Sequence, residues 1–192
     1  MMIKPSGDVY AFNRQQWLAV AVGGPIIGLG AGLGGVGEQA VFTAILGGLL
    51  LWLSVIDARH FVLPNALNAA LAAVGLVMVW RLAPGNWHAH IIGGGVGYVV
   101  LVLVEIAFRR LRGVDGLGRG DAKLLGAVGI WTGWTGLPGV LLIASSTGLV
   151  FAGLMAALGQ TGDLRRTPIP FGPFLALGAY IVWLYAPLRP LF

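Results

Sequence analysis

Seven stretches of the chain are apolar over lengths close to a bilayer's thickness: residues 17–35, 40–57, 66–83, 89–108, 122–137, 138–158 and 172–188. A helix that crosses the hydrocarbon core needs about 20 mostly apolar residues, within a range of roughly 17–25. The fifth stretch is short, and the first is the least hydrophobic and contains Pro25. Polar positions collect in residues 1–16 and around 109–121 and 159–171, none of them long enough for a domain outside the membrane. There is no tandem repeat. The pattern predicts an all-α polytopic membrane protein: a single membrane-embedded domain over 1–192, with a core at 40–188. Residues 1–16 read as a short segment ahead of a retained first helix, because no convincing small-x-small cleavage site precedes the next span.

Composition supports this and adds a packing mode. Of the 192 residues, 57% are hydrophobic and 10% charged, whereas soluble domains carry about 25% charged residues. Too few charges remain to cover a water-facing surface. The 32 glycines are spread through the apolar runs. Small residues let membrane helices approach closely, and the spacings Gly28/Gly32, Gly93/Gly97 and Gly129/Gly133 fit that use. The expected product is a compact Gly-rich bundle of about seven transmembrane helices. The absence of cysteine excludes disulfides, thiolate metal sites and a cysteine nucleophile.

The net charge of +5 suggests nucleic acid until its distribution is read. With a cytoplasmic N-terminus, one face receives Lys4, Arg14, Arg59, Arg109, Arg110, Arg112, Arg119, Lys123, Arg165 and Arg166, and the other receives Arg81 and Arg189. This is the asymmetry of membrane orientation, so the partners expected are membrane lipids and no nucleic acid. The same topology puts Asp57, closing the second span, and Asp121, opening the fifth, on the cytoplasmic side at matching depth.

Those two aspartates are the residues with most to explain. An ionised carboxylate moved into hydrocarbon costs roughly 2.5–3.5 kcal/mol or more, so each must be paired, capping a helix or used for chemistry. Asp121 lies in Gly116-Leu-Gly-Arg-Gly-Asp-Ala-Lys123. It reads either as the N-cap of the following helix or as a reactive group that the glycines leave open to an extended peptide. Asp57 reads as a partner of Arg59, as a loop residue at the interface, or as a reactive group next to a helix break, since Pro64 disfavours helix at the residue before it. Asn65 is then placed to cap the third span. Glu105 and Arg109 form an i,i+4 pair. His88 and His90 read as a loop pair on the opposite face, without the partners of a metal site. Asp115 and Asp163 read as solvated loop residues. Ser145, Ser146 and Thr147 read as helix–helix hydrogen-bonding groups. Lys123 reads as an orientation signal, a ligand for a substrate acid or a modulator of a nearby aspartate.

Two carboxylates at one membrane face can hydrolyse a peptide. They share a proton because like charges at close range do not both ionise cheaply, and the pair then supplies both the base and the acid that the reaction needs. The segments carrying these aspartates resemble those of a known family. Residues 116–134 resemble the signature of type IV prepilin peptidases, membrane aspartyl proteases of the Gly-x-Gly-Asp class. Ile56-Asp57-Ala-Arg-His-Phe-Val-Leu63-Pro64-Asn65 is similar to their first aspartate motif, and Pro168-Ile-Pro170-Phe171-Gly172-Pro173-Phe-Leu-Ala-Leu-Gly178 to their C-terminal motif. The resemblance implies removal of the basic leader of prepilins or pseudopilins at the cytoplasmic face of a bacterial inner membrane. It implies Asp57 and Asp121 as catalytic residues, Gly118 and Gly120 as motif glycines, and Leu63, Pro64, Lys123, Pro170, Phe171, Gly172 and Pro173 as motif or substrate-cleft residues.

Two departures shape the expectation. Many bacterial members carry a zinc-binding Cys-x-x-Cys insertion between their first two spans and methylate the new N-terminus with S-adenosylmethionine. About five residues separate those spans here, and Ala122 stands where an aromatic residue is common. The chain therefore resembles a short peptidase-core form, expected to need no metal and no cofactor, with methyl transfer not expected. Two other readings stand beside this one. The first is a presenilin-like protease of the same class, which would carry a Pro-Ala-Leu motif near its end. The second is a non-enzymatic membrane subunit or transporter.

Overall fold

The computed structural model describes residues 37–113, 118–158 and 169–185. These form five helices: α1 (Glu38–His60), α2 (Asn65–Leu82), α3 (Trp87–Arg112), α4 (Arg119–Ala157) and α5 (Gly172–Tyr185). A 3-10 turn at Pro84–Asn86 joins α2 to α3, and no strand occurs among the described residues. α1 to α4 are long and apolar enough to cross a membrane; α5 is apolar and shorter, at 14 residues. The expected span at 17–35, with Gly28 and Gly32, lies outside the described residues, as do Asp115 and Asp163.

The reversal between α1 and α2 is tight because two residues enforce it. Phe61 takes the left-handed conformation (φ 51°, ψ 34°), and its N–H donates to the Asp57 carbonyl at 2.9 Å. Pro64 follows in extended geometry (φ −60°, ψ 131°) and starts α2. Asn65 does not cap that helix by its side chain, contrary to the sequence reading: it is already the first helical residue, and its amide oxygen is engaged by Lys123.

α4 has 39 residues. At about 1.5 Å of rise each it would be roughly twice as long as the ~30 Å hydrocarbon core. It is in fact two arms broken at Gly133, whose φ of 68° and ψ of 172° are not helical. Two segments were expected here, divided between residues 137 and 138. The break instead falls at Gly133, which tolerates positive φ without the steric cost of a Cβ, and Pro138 stays inside the second arm.

Glycines decide how closely the helices approach. Along the α3–α4 seam Gly93 and Gly129 stand backbone to backbone, so that a Cβ on either would strike the other's main chain. One turn along, a Cβ on Gly97 would lie 2.6 Å from the Leu125 carbonyl oxygen. The Gly93/Gly97 and Gly129/Gly133 spacings are thus the two sides of one antiparallel seam. α4 also packs on α2 and α5, with Trp131 at the centre. Its indole N–H donates to the Leu71 carbonyl at 2.9 Å, and its ring meets Trp183 edge-on at 5.4 Å and Phe42 at 6.3 Å. Trp183 in turn donates to Thr43 Oγ1 at 2.8 Å, tying α5 to α1.

Five polar residues are placed differently from expectation. His90 is not a loop residue: it is buried in the first turns of α3, with Nδ1 2.8 Å from the Ile130 carbonyl oxygen, while His88 is exposed and stacks on Trp87. Thr147 does not bridge helices but bonds back to Ile143 in its own helix at 2.7 Å. Ser145 and Ser146 are exposed on the outer face. At the end of the bundle where α1 starts and α2 finishes, Glu38 pairs with Arg81.

Candidate active site

At the other end of the bundle, four chain segments converge: the end of α1, the start of α2, the start of α4 and the start of α5. Asp57 is in the last turn of α1 and Asp121 in the first turn of α4, only 5% and 8% exposed. The charge of Asp57 acts directly on the Asp121 carboxyl, so residues 64 positions apart in sequence share one electrostatic site.

Each carboxyl is held by a helix start. The first N–H groups of a helix have no partner within it, and an anion placed there gains both hydrogen bonds and the positive end of the helix dipole. The Gly172 N–H opens α5 and donates to Asp57 Oδ2 at 2.9 Å. This bond accounts for a glycine at the position, since a Cβ on Gly172 would lie 2.6 Å from that same oxygen. The sequence offers Asp57 as a partner of Arg59, an interfacial loop residue or a reactive group; it lies within the last turn of α1 and not in a loop, and its carboxylate accepts from the Gly172 backbone.

Asp121 is not the N-cap. That position belongs to Gly118, and Asp121 is the third residue of the helix, its own N–H donating to the Gly118 carbonyl at 3.0 Å. Its carboxylate turns back toward the Gly118 backbone N–H, the N3-to-N-cap half of a capping box, the other half being absent because glycine has no side chain. A side chain on Gly118 would approach Asp121 Oδ2 at 3.4 Å. Gly120 meets Leu63: a Cβ there would be 3.0 Å from the Leu63 Cβ, which docks the α1–α2 turn against the start of α4.

The other motif residues frame this pair. Leu63 and Pro64 are buried; Pro170, Phe171 and Pro173 are half-buried. The Phe171 carbonyl accepts from the N–H groups of Phe174 and Leu175, closing the first turn of α5. Lys123 is exposed and donates to Asn65 Oδ1 at 2.7 Å, a second clasp between α2 and α4. Glu105 pairs with Arg109 at 2.7 Å, as the spacing implies, and also reaches Arg119 at 3.5 Å. The end of α3 is thereby joined to the start of α4. No group of three His, Cys, Asp or Glu residues that could hold a metal occurs among the described residues.

Two features were not foreseen. Phe61 and Val62 expose apolar side chains beside the aspartates; the helix break predicted at this point was the signal available. Asn68, one turn into α2, is buried with no hydrogen-bond partner for its amide. A lone amide in the apolar run 66–83 could have drawn attention to it.

Comparison with known proteins assigns this arrangement to a lineage. Residues 44–153, which carry both aspartates, match the profile of the type IV leader peptidase family. The chain belongs to that family. It is 38% identical over 151 residues to a prepilin leader peptidase/N-methyltransferase of Xanthomonas campestris pv. campestris, covering 79% of this chain and 52% of that protein. It is 40% identical over 164 residues to the protein of the same description from Burkholderia pseudomallei, covering 80% and 52%. The corresponding figures for that of Pectobacterium carotovorum subsp. carotovorum are 36% over 151 residues, 78% and 53%. The chain spans about half the length of the curated relatives it matches. No solved structure matches it.

Proposed function

We propose that this chain is an aspartyl endopeptidase that removes the basic leader of type IV prepilins or pseudopilins at the cytoplasmic membrane face, with Asp57 and Asp121 as its catalytic residues. One observation carries the reading: two buried carboxyls from distant parts of the chain meet where four helix ends converge, near enough for the Asp57 charge to bear on Asp121. Membership of the leader peptidase family supports the substrate class.

In the proposed reaction one aspartate is ionised and takes a proton from water while the other, neutral, polarises the scissile carbonyl. The water oxygen adds to the carbonyl carbon. The C–N bond then breaks as the amine leaves with a proton returned by the pair, and the products are the leader's new carboxylate and the mature protein's amine. No metal, nucleotide or covalent intermediate is needed. No cofactor is assigned to the chain, and methyl transfer from S-adenosylmethionine is not part of the proposal.

The basic residues of the described segments support a cytoplasmic site. Arg59, Arg109, Arg110, Arg112, Arg119 and Lys123 lie at the aspartate end and Arg81 at the other, the polarity of the positive-inside rule. With the segment at 17–35 as a further span and α4 counted as two, a seven-span bundle with a cytoplasmic N-terminus follows.

The test is co-expression with a prepilin, reading leader removal as a mobility shift. Asp57→Asn and Asp121→Asn, each alone, should abolish processing while the protein still accumulates in the membrane. Processing by either single variant at the wild-type rate would refute the assignment. A transporter or accessory subunit would give no processing with any form of the chain.

A further inference from the structure

Among the described residues, Asn68 is a buried side chain whose whole amide finds no partner in the packing. It is 5% exposed, and neither its Nδ2 nor its Oδ1 has a hydrogen-bond partner among the protein atoms. Buried side-chain amides are almost always satisfied, and an exception calls for a cause.

Its position can be read from the contacts on either side. α2 and α4 both start at the aspartate end and run in the same direction. Asn65, one turn before Asn68, accepts from Lys123, and Leu71, one turn after it, accepts from Trp131. Asn68 therefore faces α4 between residues 123 and 131, about one helical turn, ~5 Å along the axis, beyond Asp121. The side chains buried on α4 at that depth are Leu124, Leu125, Ala127 and Val128, none of which offers a polar atom. Asn65 Oδ1 is engaged by Lys123, and the Leu71 carbonyl by Trp131. Among the described residues, the buried polar side chain on α4 is Asp121, about one turn from that level toward the site.

We propose that Asn68 is a positioning residue: its amide anchors one internal water between α2 and α4, and that water hydrogen-bonds the Asp121 carboxyl. An amide can both donate to such a water and accept from it, and internal waters are stable when they have two to four polar partners. The groups facing Asp121 are then Asp57 from α1, the Gly118 backbone from its own helix and the Asn68-bound water from α2. The last of these fixes the carboxyl's orientation from the α2 side. The proposal rests on the aspartyl peptidase reading for its kinetic consequence but not for its structural one.

The experiment compares full-length wild type with Asn68→Leu and Asn68→Thr in membranes. Two signals are followed: steady-state cleavage of a prepilin that wild type processes, and labelling of Asp121 by a carbodiimide across pH, quantified by mass spectrometry. Leucine fills the site without polar atoms, and threonine keeps a hydroxyl. For Asn68→Leu we expect normal accumulation and thermal stability, kcat lower by about tenfold or more with KM unchanged, and a displaced pH profile of Asp121 labelling. Asn68→Thr should recover part of both signals. An unpartnered amide with no role predicts unchanged kcat and unchanged labelling, with stability neutral or raised, because replacing such a group by an apolar side chain need not destabilise. Wild-type kcat and wild-type labelling in Asn68→Leu would overturn the proposal. If the leucine variant does not accumulate, Asn68→Ala against Asn68→Thr decides on the same two signals, and equal behaviour of the two overturns it. If wild type cleaves no prepilin, the peptidase reading fails, and the labelling comparison alone judges the link from Asn68 to Asp121.

Discussion

Gly172 has no side chain, yet it is the residue that holds Asp57. Its N–H reaches Asp57 Oδ2 at 2.9 Å, and any Cβ on it would crowd that oxygen at 2.6 Å. Gly172→Ala should displace the carboxylate with little harm to the helix, because alanine is the better helix former. Hydrogen bonds to charged groups contribute roughly 1.5–3 kcal/mol, so leader removal should slow by about tenfold to a hundredfold. The same lost bond should also lower the unfolding temperature in detergent, while the protein still accumulates. A quantitative processing time course beside a thermal melt checks both halves. The bond also shows which details sequence could disclose. The aspartates were legible because charge in an apolar run demands an account. Their backbone partners were not: Gly172 lies 115 positions from Asp57, and nothing in a glycine's identity tells which carboxylate its N–H will meet. The same holds for Asn68, whose lack of a partner depends on neighbours supplied by another helix.

At the scale of the elements, the seam between α3 and α4 depends on glycine at some positions and not at others. A methyl at Gly93 or Gly129 would enter the opposing backbone, which has no flexible end to yield, whereas a methyl at Gly95 meets nothing within 4 Å. Gly93→Ala should therefore destabilise the bundle by about 1–3 kcal/mol, the usual range for overpacking a tight contact. Gly95→Ala should be neutral or stabilising by up to roughly 1 kcal/mol, from helix propensity alone. Thermal unfolding in one detergent, with the two variants side by side, separates the cases. The spacing of these glycines marked them for close packing before their partners were known. The break inside α4 was harder to read. Pro138 draws the eye as a helix breaker, but Gly133, five residues earlier, turns the chain through a positive φ and leaves the proline in the opening turns of the second arm. Composition cannot rank two such residues, because the turn belongs to whichever one the surrounding helices require.

For the whole molecule, the pattern of apolar runs was enough to predict an all-helical membrane bundle, since a run of that length has few other ways to satisfy its backbone. Its orientation rests on the arginines and lysines, and under the proposed function it decides whether a precursor's leader meets the aspartates before or after crossing the membrane. The chain contains no cysteine, so single reporters can be added on an unreactive background. Gly85, in the turn between α2 and α3, is exposed and has nothing within 4 Å of a new Cβ; Arg110 is exposed near the end of α3. With the aspartates facing the cytoplasm, Gly85→Cys should react with a membrane-impermeant maleimide in intact spheroplasts and Arg110→Cys only in inverted vesicles. Neither change touches the aspartate site, so leader removal by both variants should match wild type and certify that the labelled protein is folded. The reverse labelling pattern in active protein would place the carboxyls on the outer side. The leader would then have to cross the bilayer before cleavage, against the cost of moving several cationic side chains through hydrocarbon, about 2.5–3.5 kcal/mol each even on the mildest scale.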